Sequence, residues 1–231
     1  NCPHLTPEVV AACEKELAEQ YAAGKWLKRD MAQDALAWAK EKSASMAIVD
    51  LPGRIGGKLV DKDGGPALEL PYFNDVIYIS KDHITKPDGT DLTRWEQVFI
   101  YNHLAQGGKA DPVGKWKAFA EFPNTVSKVK SMINHVEIPL IERFKGKTGE
   151  LVEAAERIGG INKTHDMGKA DVAVFFNPLP KVPVMLMFWD EVASDGFEAQ
   201  VKLLFDETVT EHLDIESIMF LCERLKDLLI A

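Results

Sequence analysis

The amino-acid sequence predicts an α+β protein, with an N-terminal helical hairpin followed by a mainly antiparallel sheet with flanking helices. The run Val182–Trp189 is apolar at every position except Pro183, which is the pattern of a strand buried on both faces. Two further apolar runs, Val172–Phe176 and Val201–Phe205, flank it across short polar connections. We expect the three runs to pair as a meander, with Val182–Trp189 as the central strand.

Residues 1–45 are predicted to form the helical hairpin. The Thr-Pro-Glu sequence at 6–8 is a good helix start, because it combines a hydroxyl N-cap, a proline in the first turn and an acidic residue. This first helix is expected to stop at Gly24. Asp30 is expected to cap a second, alanine-rich helix that runs to about Lys42.

The remaining residues, 46–231, are predicted to form one α+β domain. A meander of short strands is expected first, separated by turn-forming residues: Met46–Leu51, Gly57–Val60, Ala67–Leu70 and Val76–Ile79. Helices are predicted next from Asp91 to about Gln106, from 124 to 144 with a break near Pro139, and over 150–158. After the meander, Asp214 is expected to cap an amphipathic helix that ends at Ile230.

Composition excludes several functional classes. The net charge of −9 argues against nucleic acid as a partner, since phosphate contacts need clustered lysine and arginine. No apolar run approaches the ~18–20 residues of a membrane-spanning helix, so no membrane association is expected. The three cysteines form no C-x-x-C motif and are predicted to be free thiols in a reducing cytoplasm. No catalytic motif is present, so the residues predict no reaction.

His103 is the first candidate ligand-binding residue. It shares one helical stripe with Trp95 and Phe99, at spacings of three and four residues. An imidazole in such a position can bind a metal through one nitrogen while a neighbour orients the other. The alternative is a core histidine that donates a hydrogen bond to a backbone carbonyl.

His212 is the second candidate. It follows Asp206 by six residues, and Asp190 and Glu191 close the preceding strand, so a metal site with two carboxylates is one interpretation. The alternative is a cap or turn histidine beside solvated acids. The other histidines lie in polar or helix-end contexts and are expected at the surface: His4, His83, His135 and His165.

A soft, adaptable apolar surface is predicted from Met185, Met187, Phe188 and Trp189 on the central strand, with Met219 and Cys222 on the last helix. Such a surface suits a flat hydrophobic ligand, and it equally suits ordinary core packing. Trp189 is expected to be substantially buried, with a cost of ~3–5 kcal/mol for its replacement by alanine.

The sequence also resembles a known family. Its V-P-V-x-L-x-x-W strand is Val182–Trp189, followed by Leu203–Asp206 (L-L-F-D) and His212–Asp214 (H-L-D). Trp95–Leu104 and Gly114–Phe122 fit the same template. On these segments the chain resembles the uncharacterised family of anaerobic bacteria and archaea catalogued as domain of unknown function 3786.

The resemblance covers roughly residues 45–230. It implies a role in anaerobic metabolism, and several members of the family carry an N-terminal four-cysteine iron–sulfur module similar to that of corrinoid iron–sulfur proteins. This chain has only Cys2 and Cys13 in its first 45 residues, so that cluster is not carried over. The resemblance supplies no reaction.

Three functional hypotheses follow. The first is a cofactor-binding protein of anaerobic metabolism that holds a tetrapyrrole, either a corrinoid or a haem, against the C-terminal sheet. In this hypothesis His103 or His212 is the axial ligand of the metal, and Trp95 and Phe99 pack against the ring. The second is a non-catalytic interaction or accessory module of an anaerobic metalloenzyme or corrinoid protein. The third is an enzyme with a carboxylate–histidine site.

Overall fold

The computed structural model describes residues 11, 12, 14–16, 18, 19, 30–62, 64–81, 83–192 and 194–231. The predicted helix start at 6–8 and the predicted stop at Gly24 lie outside these residues, as do Cys2, Cys13 and His4. The described residues between 11 and 19 are helical. The rest combines antiparallel sheets with flanking helices, which confirms the predicted α+β class.

The elements alternate between helical and strand segments along the chain. The helices are α1 (Met31–Ser43), α2 (Leu51–Ile55), α3 (Arg94–Gln106), α4 (Val126–Met132), α5 (Ile138–Phe144), α6 (Thr148–Arg157), α7 (Thr164–Met167), α8 (Val209–His212) and α9 (Ile215–Ile230). The strands are β1 (Lys58–Lys62), β2 (Gly65–Tyr72), β3 (Asp75–Ile79), β4 (Ile84–Thr85), β5 (Trp116–Ala118), β6 (Ile161–Asn162), β7 (Val172–Leu179), β8 (Val182–Trp189) and β9 (Gln200–Asp206).

Two antiparallel sheets organise the fold. The first has the strand order β1-β2-β3-β4 and the second β5-β9-β8-β7-β6. Strand β8 lies in the middle of the second sheet, where Leu186 faces Val174 of β7 and Leu203 of β9. This confirms Val182–Trp189 as the central strand. The sheets meet where the backbone N–H of Phe73 donates to the carbonyl of Pro178 at 2.9 Å.

Strand β8 has apolar side chains on both of its faces because both faces are covered by other parts of the protein. Phe188 and Leu186 point into the main core beneath the helices, as the two-residue period of a strand requires. Met185 and Met187 point the other way, into a smaller cluster with Ala173. Side chains from β5, β7, β9 and α7 pack over that second face.

Helix α1 confirms the second helix of the predicted hairpin and its cap. Asp30 Oδ1 accepts a hydrogen bond from the backbone N–H of Gln33 at 3.1 Å, as an N-cap aspartate does. Leu36 and Ala39 are buried in the main core, where α1 packs against α3. This helix is therefore part of the main body.

Two local predictions are wrong. Residues 46–51 were expected to form a strand, but they contain a 3₁₀ turn that leads into α2, with Pro52 in the first turn of that helix. Proline is tolerated there because the first helical N–H groups have no partner within the helix. The cap of helix α3 is Thr93 and not Asp91, because Thr93 and Glu96 form a reciprocal capping box, and the helix begins at Arg94.

The predicted break near Pro139 is confirmed. A π-helical turn, Ile133–Glu137, joins α4 to α5, and Pro139 lies in the first turn of α5. Proline cannot donate to the preceding turn and its ring crowds the carbonyl four residues back, which is that of His135. The π-helical turn relieves this conflict. No helix within the described ranges is long and apolar enough to cross a membrane.

Candidate functional site

The structure separates the predicted site residues into three places. They are a buried junction (His103 and His212), an open cleft (Trp95 and Phe99) and the outer face of the second sheet (Met185, Met187 and Trp189). Residues that one sheet-bound ligand was expected to contact are thus distributed around the molecule.

The two histidines form a junction between α3, α8 and the loop that follows α3. The Nδ1–H of His103 donates to the carbonyl of His212 at 3.0 Å, and the Nε2–H of His212 donates to the carbonyl of Ala110 at 2.9 Å. The protons lie on these nitrogens because a carbonyl oxygen can only accept. His103 is 1% exposed and His212 is 0% exposed. Both side chains therefore connect buried backbone segments that are distant in the sequence.

Burial keeps both imidazoles neutral. It lowers the pKa of His103 to about 4, and it also lowers the pKa of His212, because a charged ring loses its hydration. His103 Nε2 and His212 Nδ1 keep buried lone pairs with no hydrogen-bond partner in the described part of the chain. The ring centroids lie 6.3 Å apart. Neutral imidazole is the form that binds metal, yet the described ranges bring together no set of three or more potential metal ligands.

The acids predicted as partners of His212 pair with other groups, as Glu191 does with Lys145. Asp206 accepts from the backbone N–H groups of Val113 and Gly114 and from Thr208. Burial opposes ionisation of Asp206, but these hydrogen bonds outweigh it and lower the pKa of the carboxyl. Asp190 accepts from the backbone N–H of Gly146. It follows β8, whereas Asp206 ends the antiparallel neighbour β9, so the two acids lie at opposite ends of the sheet.

The open feature near α3 is a cleft of about 460 Å³ between α3, α4 and α9, which we call the aromatic cleft. Phe99 and Phe220 line it, with ring centroids 5.2 Å apart, together with Met219 of α9. Trp95 also lines it and is 50% exposed. Phe99 is buried and Phe220 is partly buried. A half-exposed apolar ring near such a pair is a surface suited to contact with a ligand.

His135 is the imidazole that lines the aromatic cleft. It lies in the π-helical turn and its Nδ1 is 3.6 Å from Glu223 Oε1 on α9. The sequence prediction that His135 is at the surface is confirmed, as it is for His83 and His165. Sequence reasoning did not connect His135 with Trp95, although Pro139 was a signal for irregular helix geometry at this point.

Seven of the twelve residues that line the aromatic cleft are polar or charged. Lys128 Nζ pairs with Glu216 Oε1 at 2.8 Å on its rim. Asn102 lines the cleft and its Oδ1 is buried without a hydrogen-bond partner in the part of the chain that the structure describes. The cleft therefore combines an aromatic and methionine surface with polar groups that could orient a ligand.

The outer face of the second sheet contains the methionine surface. Met185 and Met187 are buried there, beneath aromatic rings that include Trp116 and Phe175, whose centroids lie 6.2 Å apart in an edge-to-face arrangement. Trp189 is only partly buried at the end of β8, and its Nε1–H donates to the carbonyl of Lys169. The methionines thus form a second, smaller core whose aromatic cover is partly exposed.

Together, these features define an α+β protein with two antiparallel sheets. It has a buried histidine junction between α3, α8 and the loop that follows α3, and an aromatic cleft at its surface. The chain belongs to the family described as domain of unknown function (DUF3786), whose model matches residues 48–227. This confirms the resemblance found in the sequence. Neither the curated proteins nor the solved structures contain a match to the chain. The family match begins after α1.

Proposed function

We propose that this protein is a cofactor-binding protein of anaerobic metabolism whose ligand is a flat, hydrophobic macrocycle of the tetrapyrrole class, a corrinoid or a haem. The aromatic cleft is the binding site. The observation that carries the proposal is the half-exposed Trp95 ring at the same cleft as the paired rings of the buried Phe99 and the partly buried Phe220. A planar ring packed against Trp95 would remove this apolar surface from water, at ~25 cal/mol per Å² buried.

The size of the aromatic cleft fits one face or edge of such a ring. Its volume of about 460 Å³ is within the range of roughly 300–1,000 Å³ typical of small-molecule sites. A tetrapyrrole would leave part of its periphery, including its charged side groups, in solvent near the Lys128–Glu216 pair.

His135 is the residue that we propose as the axial ligand of the metal. It lines the aromatic cleft, and its Nδ1 faces Glu223 Oε1 at 3.6 Å, which would leave Nε2 for the metal, as in carboxylate–histidine–metal arrangements. His103 and His212 are the original candidates for this role. Their buried lone pairs would become accessible only if the junction opened, because both rings are held by backbone carbonyls.

Titration of the protein with haemin and with hydroxocobalamin tests this proposal. We expect saturable binding that quenches tryptophan fluorescence and shifts the visible band of the macrocycle. Replacement of Trp95 by alanine should weaken binding by about tenfold, since stacking of a ring on an aromatic side chain contributes ~1–3 kcal/mol. His135→Ala should change the position of the band, because the metal loses its nitrogen ligand.

The matched control is His165→Ala. His165 is also an exposed histidine, but it lies in α7, away from the aromatic cleft, so affinity and spectrum should be unchanged. If binding survives both Trp95→Ala and His135→Ala without change, the site is not in this cleft. A spectrum that responds to His103→Ala and not to His135→Ala would identify His103 as the axial ligand.

The alternative function is a non-catalytic interaction module of an anaerobic metalloenzyme or corrinoid protein. The partly exposed rings of Trp116, Phe175 and Trp189 on the outer sheet face favour it, because aromatic residues are enriched in protein interfaces. The same titration separates the two functions. An absence of binding by both macrocycles would exclude the cofactor proposal and leave the interaction module.

A further inference from the structure

We infer that a second cleft, on the other side of the contact between α3 and α9, binds a small organic carboxylate that carries an apolar or aromatic body. This cleft has a volume of about 260 Å³, and we call it the basic cleft. The apolar side chains that line it are Tyr72, Phe73, Ile77, Leu92, Ile158 and Leu228. The cations that line it are Lys86, Arg157 and Arg224.

Arg157 is the main reason to expect an anion. It lies in the last turn of α6, where a cation is favourable beside the helix carbonyls. Its guanidinium is exposed and pairs with no carboxylate among the described residues. Three of the other arginines do pair with a carboxylate, as Arg143 does with Glu150 at 2.7 Å. In a protein of net charge −9, an unpaired arginine at an apolar cleft is an available site for a negative ligand.

A buried polar network holds the second arginine. Glu96 is 4% exposed and accepts from Thr93 Oγ1 at 2.7 Å and from the Tyr72 hydroxyl at 3.5 Å. Burial raises the pKa of Tyr72, so that hydroxyl keeps its proton. Arg224 Nε lies 3.3 Å from Glu96 Oε1 and is buried without a well-formed hydrogen bond. The network therefore positions the Arg224 guanidinium at the basic cleft.

The backbone at the turn between β2 and β3 is held in an unusual conformation. Phe73 has a φ of 55°, a region that non-glycine residues rarely occupy. Its backbone N–H donates to Pro178, and the next residue, Asn74, donates from Nδ2 to the carbonyl of Arg157 at 3.2 Å. The Phe73 ring lies edge-to-face on Tyr72, with centroids 4.9 Å apart. Conformations of this kind often occur at binding sites, and here the turn sets an aromatic wall beside Arg157.

The charges select a carboxylate over a phosphate. Asp75 and Glu96 line the basic cleft with the three cations, so three positive and two negative side chains give a net charge of +1. A ligand with a single negative charge would neutralise this lining, whereas a dianion would leave an excess of one negative charge. The guanidinium of arginine also matches the planar, two-oxygen geometry of a carboxylate. The volume restricts the apolar body to about one ring, since it is below the range of drug-sized sites.

The test uses 3-phenylpropionate as the probe, with its neutral amide and inorganic phosphate as comparisons. We expect 3-phenylpropionate to bind saturably in calorimetry and to shift the backbone amide resonances of residues 73–75 and 157–160. The amide and phosphate should each bind at least tenfold more weakly. No saturable binding of 3-phenylpropionate, or tighter binding of phosphate, would overturn the inference.

Arg157→Gln removes the charge and leaves a shorter polar side chain at an exposed position, so folding should be unaffected. We expect it to weaken 3-phenylpropionate binding at least tenfold. Arg143→Gln is the matched control, because Arg143 lies on α5 outside the basic cleft, and it should bind like the unmodified protein. Equal affinities of the unmodified protein and Arg157→Gln would refute the site.

This inference is independent of the proposed macrocycle site. Trp95 and His135 line the aromatic cleft and not the basic cleft. The Trp95→Ala variant should therefore lose affinity for the macrocycles and keep its affinity for 3-phenylpropionate, so the failure of one proposal is distinguishable from the failure of the other.

Discussion

Replacement of Phe188 by alanine is expected to lower the free energy of unfolding by about 3–5 kcal/mol, the usual cost of removing a buried aromatic ring. Phe188 is 0% exposed. It lies on the core face of the central strand β8, opposite Val172 of β7 and Val201 of β9. The rigid pairing on both sides limits how far the strand can move to fill the resulting cavity. Urea denaturation followed by circular dichroism measures the change.

Trp189→Ala is the matched comparison, one residue along the same strand. The sequence predicted a substantially buried Trp189 with the same large cost, but the ring is only partly buried at the end of β8. The substitution removes the contacts of a partly buried ring and one hydrogen bond to Lys169. A hydrogen bond contributes about 0.5–1.5 kcal/mol to stability. We therefore expect a clearly smaller loss than for Phe188. A larger loss for Trp189 than for Phe188 would show that the outer face, and not the main core, dominates stability.

The second large effect is acid sensitivity caused by His103. Its folded pKa of about 4 lies below the value of about 6.5 for an unfolded chain. The unfolded state therefore takes up a proton first as the pH falls, and stability decreases from about pH 6.5 down to about pH 4. With 1.36 kcal/mol per unit of pKa, the total loss is about 3 kcal/mol. His212 acts in the same direction, because burial lowers its pKa too.

Stability curves of the His103→Asn variant between pH 7 and pH 4 test this cause. The asparagine Nδ2 can take the place of the imidazole Nδ1 that donates to the His212 carbonyl, and the amide does not titrate. We expect the variant to be less stable at pH 7, because a cavity remains, but to lose much less stability on acidification. His165→Asn, at an exposed position, should retain the full pH dependence. An equally steep curve for His103→Asn would assign the acid sensitivity to other groups.

The sequence by itself determined the elements whose signals are local. The uninterrupted apolar run of β8 required cover on both faces, and a central strand is the arrangement that supplies it. The caps Asp30 and Asp214 were also predicted correctly, since a side-chain oxygen contacts an N–H only a few residues away. The family was recognisable for the same reason, from short contiguous segments.

Local sequence patterns gave wrong predictions where the same pattern is compatible with two different structures. Pro52-Gly53 is typical of a turn, but the same proline fits the first turn of α2. The stripe of Trp95, Phe99 and His103 correctly described one side of α3, but a periodic pattern does not identify which neighbour each residue faces. In the fold, Trp95 and Phe99 line the aromatic cleft beside α9, whereas His103 contacts the backbone of His212.

Only the tertiary structure decided the composition of the sites. His135 meets Trp95 and Glu223 because α3, the π-helical turn and α9 pack together. Lys86, Arg157 and Arg224 come from three distant parts of the chain and share one cleft. Distances between such residues depend on how whole helices and sheets pack, and that packing is decided by the sum of many weak contacts across the core. No spacing within a single segment encodes it, so the chemistry of both clefts became visible only in three dimensions.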